Sequence, residues 1–280
     1  MNKQTVFEAV LTGIPNPAPE AVEDYRGEDG ILYCGKCHTP REARIDGIAR
    51  LVPVMCKCVE SAQEERDSAQ KTTQFRADMN ARWDADGICD RTFLSCSFSM
   101  DDGKTDPAKV NVCRKYVSSW DEMQAENLGI LFFGNVGTGK SFLMNCIAHA
   151  LYDRQVPVCV TSLPRFLNQI WNASDRQGLI DRIAAYPLLC IDDFGVEQHS
   201  DYKDELIFGL LDARSKRALP LIVTTNLTLD ELTDPNAPQN LRRFYDRITE
   251  MCPVHLRLAG VSRRASIAEA KTNRAREMLL

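Results

Sequence analysis

Gly134-Asn135-Val136-Gly137-Thr138-Gly139-Lys140-Ser141 is a complete GxxxxGK[ST] stretch, with the apolar run Ile130-Leu131-Phe132-Phe133 ahead of it and a helix-like segment, Phe142 to Arg154, behind it. Strand, glycine loop and helix in that order make a phosphate cradle. Glycines at 134, 137 and 139 let backbone N–H groups curl around a β-phosphate at the positive end of the following helix. Lys140 is then placed for the β/γ-phosphates and the Ser141 hydroxyl for Mg²⁺. The stretch predicts ATP binding. A glycine turn carrying Lys-Ser by coincidence is the competing reading, and the flanking strand and helix argue against it.

Downstream of the loop, short apolar runs alternate with helical patterns: 130–133, 156–161, 188–191, 220–225 and 254–258. This alternation predicts βαβ units and a parallel sheet, with phosphate chemistry at the carboxyl ends of the strands. One run, Leu188-Leu189-Cys190-Ile191, ends in Asp192-Asp193 about fifty residues past the loop. An apolar strand ending in paired acids suits Asp192 to hold Mg²⁺ through water and Asp193 to polarise an attacking water. Taken alone, the pair could be a solvated turn; its distance from the loop favours the catalytic reading. Leu221-Ile222-Val223-Thr224-Thr225 ends in Asn226, which would orient the lytic water or sense the γ-phosphate. The alternative is a plain Asn turn or an N-cap before Thr228 to Leu232. Arg242, Arg243 and Arg247, then Arg263 and Arg264, follow. An arginine supplied from a neighbouring copy would tie hydrolysis to assembly, although each arginine alone reads as surface charge.

The 280 residues are 44% apolar, enough for a sizeable core in either one large domain or a P-loop domain plus a small appendage. No run approaches the ~18 apolar residues of a membrane span, and the first twenty residues lack a signal-peptide core, so a cytoplasmic protein without membrane partners is expected. Eleven cysteines, an odd number, are spread through apparent core strands (Cys159, Cys190) as well as near the start. That pattern is not a secreted disulfide framework. Net charge is −5, but residues 241–280 hold nine Lys/Arg against four acids. An acidic whole argues against coating duplex DNA by bulk charge and leaves room for a local basic groove.

Residues 1–30, with Pro15, Pro17 and Pro19, read as a poorly defined lead-in. Cys34-Gly35-Lys36-Cys37 follows, then eighteen residues, then Cys56-Lys57-Cys58. Two close cysteine pairs predict a Cys₄ zinc site on a short ribbon-like hairpin. Reduced cysteines without metal, or His38 in place of one thiolate, are the alternatives. Four thiolates leave no open position for water, which argues against catalytic zinc. Residues 59–83 contain neither Gly nor Pro and space Phe75, Met79 and Trp83 four apart, predicting a helix that ends at Asp86-Gly87. It reads as a solvated connector with one apolar stripe, or else as a partner-binding helix. A mixed region with a loop at 101–107 leads into the nucleotide fold.

The ordered set GNVGTGKS, LLCIDDFGVE, IVTTNL, YDRI and GVSRR resembles the AAA+ ATPases of the bacterial replicative helicase-loader group, the DnaC/DnaI type, which includes the IstB-like transposition ATPases. The resemblance covers about residues 87–266. It implies an α/β AAA+ P-loop NTPase fold with a five-stranded parallel sheet sandwiched by helices. It also implies Walker A roles for Lys140 and Ser141, Walker B roles for Asp192 and Asp193, sensor 1 for Asn226, the arginine finger for Arg247 and sensor 2 for Arg264. The preceding cysteine pairs resemble the zinc-binding N-terminal domains of some loaders. Two positions depart from the pattern. Many AAA+ proteins have Glu where this chain has Asp193, which makes Glu197 a possible substitute; Arg242 and Arg243 compete with Arg247 for the finger.

The domains expected are therefore 1–58, a zinc-binding partner module; 59–86, a helical linker; and 87–280, the ATPase. The function implied is ATP-dependent loading of a hexameric replicative DNA helicase onto single-stranded DNA, with self-association through the ATP site. An IstB-like transposition helper and a nucleotide-switched adaptor with little turnover are the alternatives.

Overall fold

The computed structural model describes residues 24–103, 105–195, 200–260 and 262–279. Pro15, Pro17, Pro19 and Glu197 lie outside the described residues. The chain divides into two compact units, Met1–Arg76 and Ala77–Leu280.

The first unit holds two small antiparallel ladders. β1 (Tyr25–Arg26) pairs with β2 (Leu32–Tyr33), and β3 (Glu42–Ala43) with β4 (Val52–Pro53). Neither two-residue ladder is long enough to be stable alone. Helix α1 spans Lys57–Asp86, a little beyond the expected 59–83. Its Gly-free, Pro-free run explains the length, and Gly87 at φ +68° ends it. Of the expected stripe, Phe75 is half-buried while Met79 and Trp83 are buried.

The second unit is built on a five-stranded parallel sheet. β5 (Ile130–Phe133), β6 (Val158–Ser162), β7 (Leu188–Phe194), β8 (Leu221–Thr225) and β9 (Val254–Arg257) lie in the order β6-β7-β8-β5-β9. Every residue of β5 and β8 is buried, as parallel strands covered on both faces require. The expected strand positions hold, with β7 running on through Asp192 and Asp193 to Phe194. Edge strand β6 is covered by the segment after α1, where the Asp90 N–H donates to the Val160 carbonyl at 2.6 Å. Trp83 donates its indole N–H to the Val158 carbonyl at 2.8 Å, and buried Asp86 accepts from Arg182 at 3.0 Å and Tyr186 at 2.9 Å.

Two 3-10 turns (Arg91–Ser95 and Phe98–Met100) and helices α2 (Pro107–Ser118), α3 (Trp120–Ala125), α4 (Lys140–Asp153), α5 (Leu163–Asn172), α6 (Arg176–Ala184), α7 (Asp201–Lys216), α8 (Leu229–Leu232), α9 (Gln239–Met251) and α10 (Arg263–Leu279) accompany the sheet. Arg214 of α7 is fully buried and donates to the carbonyls of Ala184, Tyr186, Pro187 and Pro220. Desolvation pushes its pKa down to about 9, so it stays a cation at neutral pH and clamps the chain just ahead of β7 and β8. Among the described residues, no helix is long and apolar enough to cross a membrane.

Candidate functional site

The sheet order places three segments side by side at the carboxyl end of the three central strands. β5 runs into the glycine loop; its neighbour β8 ends just before Asn226; β7, beside β8, carries Asp192 and Asp193 near its end. All are carboxyl ends of parallel strands, where ligands of such sheets sit.

Two glycines of the loop are dictated by packing as well as backbone conformation. A Cβ on Gly134, at φ +124°, would lie 2.2 Å from the Leu258 carbonyl oxygen. On Gly137, at φ +78°, it would lie 2.1 Å from the Ser262 hydroxyl. The segment from β9 into α10 therefore rests directly on the loop. Arg264 belongs to the first turn of α10. Gly139 caps α4, so Lys140 and half-buried Ser141 stand in its first turn. Asn135 and Val136 form the exposed tip, and the Thr138 hydroxyl donates to the Asn135 carbonyl at 2.9 Å.

Lys140 is buried, and all three of its protons have acceptors. It donates to the Gly134 carbonyl, the Asn135 carbonyl and the Asn226 side-chain oxygen, each at 2.8 Å. The helix cap that competed for Asn226 is supplied by Thr228, which forms a capping box with Glu231. The amide oxygen of Asn226 is thus turned toward the lysine. Asp192 and Asp193, both half-buried, sit at a break in register between β7 and β8.

Three arginines of α9 find partners outside the loop. Arg247 pairs with Asp212 at 3.1 Å and Glu250 at 2.9 Å, and these two acids raise its pKa. The Arg243 guanidinium lies 3.9 Å from the Phe208 ring centre, and Arg242 donates to the Pro235 carbonyl at 3.2 Å. Both are exposed, and with Leu232, Asp234, Gln239 and Asp246 they line a surface cavity of about 380 Å³.

In the first unit, the sulfurs of Cys34, Cys37, Cys56 and Cys58 all lie within 4.8 Å of one another, and none is in a disulfide. Cys34 and Cys56 each approach Cys58, at 3.6 and 3.4 Å. Tetrahedral Zn–S bonds would set sulfurs about 3.8 Å apart, so the donor set fits structural zinc. The Thr39 hydroxyl 3.1 Å away, helped by nearby backbone N–H groups, lowers the Cys37 pKa to about 5. Hydrogen bonds with Cys56 and Cys34 push Cys58 up to about 12. His38, the alternative ligand, has its Nδ1 3.3 Å from the Tyr25 hydroxyl.

One surface feature escaped the sequence reading. Trp171 is 65% exposed, stands edge-on to half-exposed Tyr202 at 5.6 Å, and the Arg176 guanidinium lies 5.8 Å from the Tyr202 ring. The available signal was on α5, where Leu163, Phe166 and Ile170 form the buried face and Trp171 falls outside it.

A glycine loop, paired acids and an asparagine on adjacent parallel strands define an AAA+ P-loop fold. The chain belongs to the AFG1-like ATPase family, whose model matches residues 70–265. It is also similar to the replicative helicase loader DnaI of Bacillus subtilis, 27% identical over 121 residues, which are 42% of this chain and 39% of that protein. The replicative helicase loader DnaC of Escherichia coli K12 is 28% identical over 125 residues, 43% of this chain and 50% of its own length. The matched stretches thus span half or less of those relatives. The solved DnaC helicase loader structure, 19% identical, overlays 61% of this chain and all of that one with a TM-score of 0.53, which supports the fold.

Proposed function

We propose that the chain is an ATPase that loads a replicative DNA helicase onto single-stranded DNA, with residues 1–58 as a zinc-bearing partner module, 59–86 as the linker and 87–280 as the motor. The observation that carries the nucleotide reading is the Lys140 ammonium bound to Asn226, one strand away from Asp192 and Asp193. ATP phosphates would take the place of the Gly134 and Asn135 carbonyls and of Asn226 on Lys140. Backbone N–H groups of residues 134–141 would cradle them.

Mg²⁺ held by Ser141 and Asp192 would neutralise charge on the β- and γ-oxygens. Asp193 would accept a proton from the attacking water, and Asn226, released from Lys140, would orient that water. Arg264, on the helix whose approach rests on the loop, is assigned sensor 2. Arg247 is assigned the finger that reaches a neighbouring copy, for which it must leave Asp212 and Glu250; Arg242 and Arg243 stand as the exposed alternatives.

Zinc on Cys34, Cys37, Cys56 and Cys58 would hold the first unit folded. The helicase and DNA roles rest on the sequence similarity to DnaI and DnaC. Single-stranded DNA gains support from Trp171, Tyr202 and Arg176, an exposed aromatic pair with a cation of the kind that stacks bases. A pull-down with the replicative helicase of the same cell, with and without ATP, tests the reading. Nucleotide-dependent capture of the helicase is expected; capture of a transposase and not the helicase would point to the transposition role.

A further inference from the structure

Strand β7 does not pair regularly to its end. The register with β8 runs Leu189 to Leu221, Cys190 to Ile222 and Ile191 to Val223, then resumes with Phe194 opposite Thr225. Two residues, Asp192 and Asp193, therefore face the single residue Thr224 in a two-against-one bulge. Asp193 takes up the extra length with a left-handed φ of +52°. Side chains rarely hold that conformation without help.

The Thr224 side chain supplies it. Its hydroxyl accepts the backbone N–H of Asp193 at 2.9 Å and donates to Asp192 Oδ1 at 2.5 Å. A hydroxyl has one proton, so its roles at the two acids follow directly. Thr224 is fully buried, which keeps water from substituting for it. The next residue repeats the device on the backbone: the Thr225 hydroxyl donates to the Phe194 carbonyl at 2.7 Å and accepts from the Leu227 N–H at 3.1 Å.

We propose that Thr224 is a positioning residue of the hydrolytic site. It occupies one oxygen of Asp192, leaving the other to face a cation, and it fixes the backbone turn that aims Asp193. A regular strand would send two successive acids to opposite faces, whereas a bulge re-aims one of them. The inference rests on the reading of Asp192 and Asp193 as the magnesium-holding and water-activating acids.

The test uses the full-length chain with Thr224→Val and Thr224→Ser, and Asp192→Asn as the reference. Two quantities are measured: ATP turnover, and the Mg²⁺ concentration needed for half-maximal binding of a fluorescent ATP analogue. Thr224→Val keeps the shape and strand preference but removes the hydroxyl. Its kcat is expected to fall about 10–100-fold and its Mg²⁺ midpoint to rise about tenfold, with KM for MgATP rising in step with the midpoint. Thr224→Ser should restore both quantities, which a merely structural role for the methyl group would not do. If Thr224→Val shows no cooperative thermal transition, Thr224→Ala replaces it with the same expected pattern. A folded Val or Ala variant with wild-type kcat and midpoint, alongside an inactive Asp192→Asn, overturns the role of Thr224 and leaves the site reading standing. An Asp192→Asn variant with wild-type turnover overturns that reading and the inference with it.

Discussion

The ammonium of Lys140 donates to the side-chain oxygen of Asn226 at 2.8 Å, joining the glycine loop after β5 to the end of β8. On the proposed exchange of Asn226 for a phosphate at Lys140, this one hydrogen bond would couple the loop to the strand end. Lys140→Ala should weaken ATP binding about 100-fold, since a charge-assisted contact to phosphate is lost. The cysteine module should remain folded. Asn226→Ala should still bind ATP but turn it over slowly. Equilibrium binding of a labelled nucleotide and steady-state phosphate release separate the two; unchanged affinity in Lys140→Ala would contradict the site assignment.

The cysteine cluster makes a prediction about composition. Protein purified without chelator should carry about one zinc per chain, because four thiols within 4.8 Å match its preferred ligand set. In so small a module, metal binding is folding energy. A strong chelator should therefore raise hydrogen exchange across residues 31–58 while the thermal transition of the ATPase unit stays in place. Elemental analysis that finds no zinc would contradict the assignment.

Trp171 is 65% exposed and stands edge-on to Tyr202, which offers aromatic faces to a ligand. Base stacking is worth about 1–3 kcal/mol per base, so Trp171→Ala should weaken single-stranded DNA binding by roughly tenfold. ATP affinity should be unchanged. Fluorescence anisotropy with a labelled oligonucleotide measures it, and identical affinity in the variant would remove Trp171 from the DNA surface.

Arg247 is held by Asp212 and Glu250 in the single chain. If it acts on ATP bound to a neighbour, activity should rise more steeply than linearly with protein concentration. Arg247→Ala and Lys140→Ala should each be inactive, and mixing them should recover part of the activity by pairing an intact loop with an intact arginine. A fully active Arg247→Ala protein would shift the role to Arg242 or Arg243.

Much of the architecture was legible because it rests on local pattern. Five apolar runs became five parallel strands, and the GxxxxGK[ST] stretch lies between β5 and α4 as its chemistry requires. What was not legible depends on residues far apart in sequence. Trp171 and Tyr202 sit on different helices, α5 and α7, and meet only through the fold. The bulge at Asp192 and Asp193 leaves no trace in the alternation of apolar residues, because it is defined by pairing with Thr224 on another strand. Arg247 shows the same division: Glu250, three residues on in α9, was within reach of helical spacing, whereas Asp212 on α7 was not.

The most direct test of the central claim is transfer of the replicative helicase of the same cell onto single-stranded DNA, measured as helicase retained on an immobilised strand. The account predicts that the wild-type chain with ATP raises helicase retention well above that of helicase alone, and that Lys140→Ala does not. Equal retention with the wild-type chain, the Lys140→Ala chain and no chain at all would contradict it.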